Sequence, residues 1–97
     1  MEHRSVLQLS TREAPYVAIV EPWAEEFEVR PDQECRVVAF HPTAPPTLDV
    51  ELYRGVLVVS VLESGSTYEF WRGSVLEFRT TLPIPEWPPT PETIVRR

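Results

Sequence analysis

Lysine is absent from this chain, and all nine of its basic residues are arginine. That excludes Schiff-base chemistry and a lysine general base. Asparagine is absent too, so no N-glycosylation sequon can occur. The single cysteine, Cys35, cannot close a disulfide within the chain, and a lone thiol fits a reducing, cytoplasmic compartment. Long apolar runs are missing at the start, where residues 1–10 carry Glu2, His3 and Arg4 and read as neither a signal peptide nor a membrane anchor. Positive charge is scarce. Nine basic against fifteen acidic residues leave a net charge of −6, which argues against nucleic acid and against an anionic membrane surface as partners. A solvated acidic surface that aids solubility is the first reading of that balance, and a cationic partner the second.

Helical periodicity is the other absence: no stretch of ten or more residues sustains it. What the 97 residues contain instead is a series of short β-type runs at ordinary globular hydrophobicity, 42%, enough for one core. Residues 6–9 make a short possible strand. Tyr16-Val17-Ala18-Ile19-Val20 is β-branched and stops at Glu21-Pro22, because proline withholds a backbone donor and biases its predecessor to extended geometry. Residues 25–30 alternate, with Phe27 and Val29 on one face and Glu26, Glu28 and Arg30 on the other. A Pro31-Asp32-Gln33 turn would fold this run onto residues 35–40, opposing Phe27 to Val37, Val29 to Cys35, Glu28 to Arg36 and Arg30 to Glu34. A second hairpin about Arg54-Gly55 opposes Leu52 to Leu57, Val50 to Val59 and Leu48 to Val61 on its core side. A third turns at Arg72-Gly73; Val75 suits a tight turn there, whereas Leu76 and Phe78 suit a longer loop. All three glycines fall at expected hairpin corners.

The expectation is an all-β fold: a small antiparallel β-sandwich or partly closed barrel of about seven strands. A single β domain should occupy residues 1–82. Residues 83–97, with five prolines around Trp87, should form a Pro-rich C-terminal tail, either with Ile84 and Trp87 packing on apolar surface or partly disordered.

Catalytic chemistry finds little footing. Glu25 and Glu26 are adjacent and point to opposite faces of a strand. Glu26 and Glu28 share a face, which reads as a solvated edge before a site for a cation or basic peptide; Glu26 or Glu28 as an acid/base is a third choice behind two binding readings. The metal-ligand candidates are Cys35, His41 and His3, and alternation sends Cys35 into the core, so no metal site and no cofactor are expected. The six serines lie outside any Gly-x-Ser-x-Gly elbow, and Ser64-Gly65-Ser66 reads as a turn. No enzyme is expected.

Surface binding has more support. Residues 56–62 are almost continuously apolar, as in a strand covered on both faces. Opposite the core side, Val56, Val58 and Trp71, with Tyr53 and Val38 as neighbours, would form a surface covered by a second sheet, a protein partner or a second copy in a homodimer. Trp23 reads as a plug over one end of the core. Trp23, Trp71 and Trp87 as stacking platforms for a small molecule or carbohydrate give the alternative reading. The P-x-x-P spacing near Trp87 is a weak groove-docking signal.

The run Val20-Glu21-Pro22-Trp23-Ala24-Glu25-Glu26-Phe27, followed by Pro31 and Arg36-Val37-Val38-Ala39, resembles a group of short uncharacterised bacterial all-β proteins. Asp32 stands where that group has glycine, and the group has no assigned activity to carry over. The phrase from Phe27 to Val38 is also similar to the early hairpin of cupredoxin-like sandwiches, a likeness that implies a fold only, since the copper ligands are lacking.

Overall fold

A computed structural model describes residues 2–86. Eight strands form: β1 (His3–Leu9), β2 (Tyr16–Glu21), β3 (Glu25–Val29), β4 (Cys35–His41), β5 (Leu48–Tyr53), β6 (Val56–Val61), β7 (Thr67–Arg72) and β8 (Val75–Arg79). They make two four-stranded sheets, sheet I in the order β1-β4-β7-β8 and sheet II in the order β3-β2-β6-β5. The fold is all-β and sandwich-like, and the two sheets do not close into a barrel. No helix occurs among the described residues, and so none is long and apolar enough to cross a membrane.

Alternation builds the core. Leu9, Cys35, Val37, Ala39, Tyr68 and Phe70 of sheet I meet Ala18, Val20, Val29 and Val61 of sheet II, all of them buried. Phe27 closes the gap between sheets by stacking on Phe70, ring centroids 4.0 Å apart and planes 4° from parallel. Tyr68 and Phe78 lie beside that stack. Burying a large side chain of this kind contributes about 1.5–3 kcal/mol.

The hairpin expected between residues 25–30 and 35–40 does not form. β3 pairs antiparallel with β2, Ala18 opposite Phe27, through the turn at Pro22-Trp23-Ala24. β4 lies in the other sheet, between β1 and β7. Phe27 and Val37 do face inward as alternation requires, but from opposite sheets. The period of two fixes which face a side chain takes; it does not fix the neighbouring strand. The outer ion pairs change accordingly, and Glu28 pairs with Arg30 at 3.0 Å.

The purely antiparallel expectation also needs correcting, because β2 and β6 run parallel, Val17 beside Val56 and Ile19 beside Val58. That pairing places β6 inside sheet II, flanked by β2 and β5, while its outward Val56 and Val58 stay half-buried. The β5–β6 hairpin keeps the expected register, Leu48 opposite Val61, Val50 opposite Val59 and Leu52 opposite Leu57. Register did not bring burial, however. β5 is an edge strand, and Val50 and Leu52 remain 42% and 74% exposed.

The two readings of the third hairpin are reconciled by a β-bulge. Arg72 pairs with Val75 across a tight Gly73-Ser74 turn, after which Trp71 pairs with Leu76 and Phe70 with Phe78. Glu77 is the extra residue, and its insertion returns Phe78 to the core face. Gly65, at φ 88, turns the chain from one sheet to the other rather than within a hairpin.

Beyond β8 the chain stays with the core through Ile84, which is 3% exposed, two residues past the boundary expected at Leu82. The Gly65 amide donates to the Ile84 carbonyl at 2.7 Å and the Ile84 amide to Ser66 at 2.9 Å. Trp87 and the rest of the proline-rich tail lie outside the described residues.

Candidate interaction surfaces

The sheet registers place each outward side chain in a row. On the outer face of sheet II the rows run Glu28-Val17-Val56-Tyr53, Glu26-Ile19-Val58-Glu51 and Glu21-Ser60-Asp49. Four half-buried β-branched side chains, Val17, Ile19, Val56 and Val58, therefore form a central apolar stripe. Carboxylates stand on both sides of it, Glu26 and Glu28 on β3 and Asp49 and Glu51 on β5, with Glu21 at one end. Arg30 offsets Glu28. Tyr53 donates its hydroxyl to Glu51 at 2.6 Å, and that hydrogen bond and the carboxylate's charge push the phenol above its usual range.

On the outer face of sheet I the rows run Arg4-Phe40-Thr67, Val6-Val38-Glu69-Arg79 and Gln8-Arg36-Trp71-Leu76. This face is also apolar at its centre, but its charges lean slightly positive, and Arg79 pairs with Glu69 at 3.0 Å. Arg4, Arg36 and Arg79 stand against Glu69 and Glu2, whose side chain lines a shallow cleft with Phe40 and Arg79. The Arg36 guanidinium lies 4.8 Å from the centre of the Trp71 ring, and the Trp71 indole donates to Glu69 at 2.8 Å.

The surface expected from sequence is thereby divided. Val56, Val58 and Tyr53 come together on sheet II, whereas Trp71 and Val38 lie on the opposite side of the sandwich. Val17 and Ile19, which complete the stripe, were missed because only the parallel β2–β6 pairing brings them beside Val56 and Val58. No sequence signal announces a parallel neighbour between two strands so far apart in the chain.

Trp23 sits where a plug was expected. Its ring centroid is 4.7 Å from that of Tyr68, and its indole donates to the Leu82 carbonyl at 3.2 Å. One side of it lines an apolar cleft of about 500 Å³ with Pro22, Leu82, Pro83, Ile84 and Pro85. That lining offers few side-chain hydrogen-bonding groups, which carbohydrate recognition would need.

A polar cluster closes one end of the sandwich. Arg72 donates to the Glu28 carbonyl at 2.8 Å, to Gln33 at 2.7 Å and to Glu77 at 2.9 Å. Cys35 lies 3.5 Å from the same guanidinium. Burial nonetheless outweighs that arginine and pushes the thiol above its usual range, so its nucleophilic form is suppressed. His41 accepts from the Thr43 amide at Nδ1, which leaves Nε2 as the donor to the Ser64 carbonyl at 3.1 Å. Both ring nitrogens thus hold turns in place. Among the described residues, no three His, Cys, Asp or Glu side chains converge as metal ligands would.

No protein-family model matches this chain, and no curated protein or solved structure is significantly similar to it.

Proposed function

We propose that this chain is a non-catalytic protein-binding module whose docking surface is the outer face of sheet II. The observation that carries this reading is the apolar stripe Val17, Ile19, Val56 and Val58 enclosed by Glu21, Glu26, Glu28, Asp49 and Glu51. An apolar centre with a charged rim is the layout of a protein interface, the centre supplying affinity and the rim selecting the partner. Here the rim selects for positive charge. Nucleic acid and anionic membranes, being negative, are disfavoured by the same carboxylates. A reducing, cytoplasmic setting accompanies the reading, supported by the single buried thiol.

Small-molecule or carbohydrate binding through tryptophans has less to support it, since Arg36 covers the ring of Trp71 and the Trp23 cleft is almost wholly apolar.

The test is a titration of the isotope-labelled protein with a peptide of alternating valine and arginine, followed by amide chemical shifts. Shifts centred on Val17, Ile19, Val56 and Val58 are expected, and they should vanish in the Glu26→Arg/Glu51→Arg variant. A titration that leaves those four amides unmoved would exclude the face as a docking surface.

A further inference from the structure

The two outer faces of the sandwich are complementary to each other, and we infer that the partner of the sheet II face is the sheet I face of a second copy of this chain. The inference rests on the reading of sheet II given above and names its occupant. Sheet II presents an apolar stripe within five carboxylates, offset among the described residues only by Arg30. Sheet I presents Val6, Phe40, Trp71 and Leu76 over the buried Val38, with Arg4, Arg36 and Arg79 set against Glu2 and against Glu69, which pairs with Arg79 at 3.0 Å. In a chain whose net charge is −6, this is, among the described residues, the sheet face where arginines outnumber acids, three to two.

Charge decides between the two ways a second copy can dock. Placing sheet II on sheet II, as in a two-fold dimer, would bring two carboxylate rims together, and like charges across an interface are strongly disfavoured. Placing sheet I on sheet II sets arginines against carboxylates and one apolar centre on the other. Such a contact is heterologous. It uses one face of each copy and leaves the other two free, so it does not close and continues into a stack of sandwiches.

The contact is small. Four strands about 4.8 Å apart, each with roughly 20 Å of length, give a footprint on the order of 400 Å². Standard interfaces cover about 800 Å² per partner, so the stack is weak, concentration-dependent and sensitive to salt.

Sedimentation velocity over a concentration series tests this. The weight-average sedimentation coefficient of the native chain should climb past that of a dimer at low salt and fall back in high salt. Two variants carry exposed charge reversals, Glu26→Arg/Glu51→Arg on sheet II and Arg4→Glu/Arg79→Glu on sheet I. Each alone should associate at least about tenfold more weakly, and an equimolar mixture should recover association, because each variant retains one native face. Circular dichroism checks that both fold. Concentration-dependent amide shifts of the native protein provide the same test without substitution: Ile19 and Val58 should move together with Val6 and Trp71.

Unimpaired association of Arg4→Glu/Arg79→Glu, or shifts confined to one sheet, would overturn the head-to-tail arrangement. A strict monomer at every concentration would overturn self-association altogether. If that monomer still bound the valine–arginine peptide, the docking face would stand and its occupant would be another protein; if it did not, both readings would fall.

Discussion

Tyr68 on β7 of sheet I donates its hydroxyl hydrogen to Glu25, the first residue of β3 in sheet II, at 2.7 Å. The bond crosses between the sheets at the end where Trp23 packs on the Tyr68 ring. Burial, and after it the hydrogen bond to Glu25 and that residue's charge, push the phenol far above the usual tyrosine range, so it is a neutral donor at pH 7. Tyr68 is fully buried, and its hydrogen bond goes to a charged acceptor. Removing it by Tyr68→Phe should cost about 1.5–3 kcal/mol, the range for bonds to charged groups. Glu25→Gln keeps an acceptor and should cost less. Urea denaturation of both single variants and the double variant measures the coupling, and additive losses would show that the two side chains act independently.

The guanidinium of Arg72 joins the sheets at the opposite end, through the Glu28 carbonyl, Gln33 and a carboxylate contact to Glu77 at 2.9 Å. Lysine cannot reproduce a planar fork that serves three partners at once. Arg72→Lys is expected to destabilise by about 1–3 kcal/mol. Arg30 provides the contrast, since its pair with Glu28 is 3.0 Å long but its side chain is 61% exposed. Arg30→Ala should shift stability by no more than about 0.5 kcal/mol. Equal effects of the two substitutions in thermal or chemical unfolding would show that the Arg72 fork contributes only as a surface pair does.

Ala24 has φ 66, a left-handed conformation at the turn between β2 and β3, and its amide donates to the Val20 carbonyl at 2.7 Å. An L-residue pays about 1–2 kcal/mol for this region, while glycine there loses roughly 0.5–1 kcal/mol of extra chain entropy. The difference predicts that Ala24→Gly stabilises the fold by about 0.5–1 kcal/mol. Most substitutions destabilise, so a rise in the unfolding midpoint would be informative, and a fall would remove the strain argument.

The sequence was most legible where a single strand or a tight turn decides the outcome. Val50 opposite Val59 and Leu52 opposite Leu57 followed from alternation about Arg54-Gly55, because a two-residue loop leaves the strands no other register. Phe27 and Val29 were placed on the correct face for the same reason. Which strand lies beside which is a different question. By charge, residues 25–30 match β4 better, through Glu28 with Arg36 and Arg30 with Glu34, yet the turn at Pro22-Trp23-Ala24 joins them to β2, with Glu28 opposite Val17 and Glu26 opposite Ile19. The sheet II stripe was only half legible: Val56 and Val58 stood out as apolar positions, but Val17 and Ile19 joined them through a parallel pairing between distant segments. Trp71 was grouped with them because outward alternation cannot say which of two sheets a strand belongs to.

Glu63 holds the loop before β5, accepting from the Thr47 amide at 2.8 Å and from the Thr47 hydroxyl at 2.6 Å. Burial acts to raise this carboxyl, but the two bonds from Thr47, a backbone bond and nearby His41 outweigh it and hold the group below its usual range. A carboxyl depressed in the folded state contributes stability above its unfolded value, near 4.5, and loses it as pH falls through the folded one. Glu63→Gln should therefore be less stable than the native chain at pH 7. The gap should narrow as pH drops below 4.5, since the native carboxyl then becomes protonated and neutral as well. Thr47→Val should narrow the gap at pH 7 as well, by removing the hydroxyl donor that lowers the carboxyl. Chemical denaturation midpoints between pH 7 and pH 3 measure the difference, and a gap constant over that range would mean that Glu63 holds the loop by shape and not by charge.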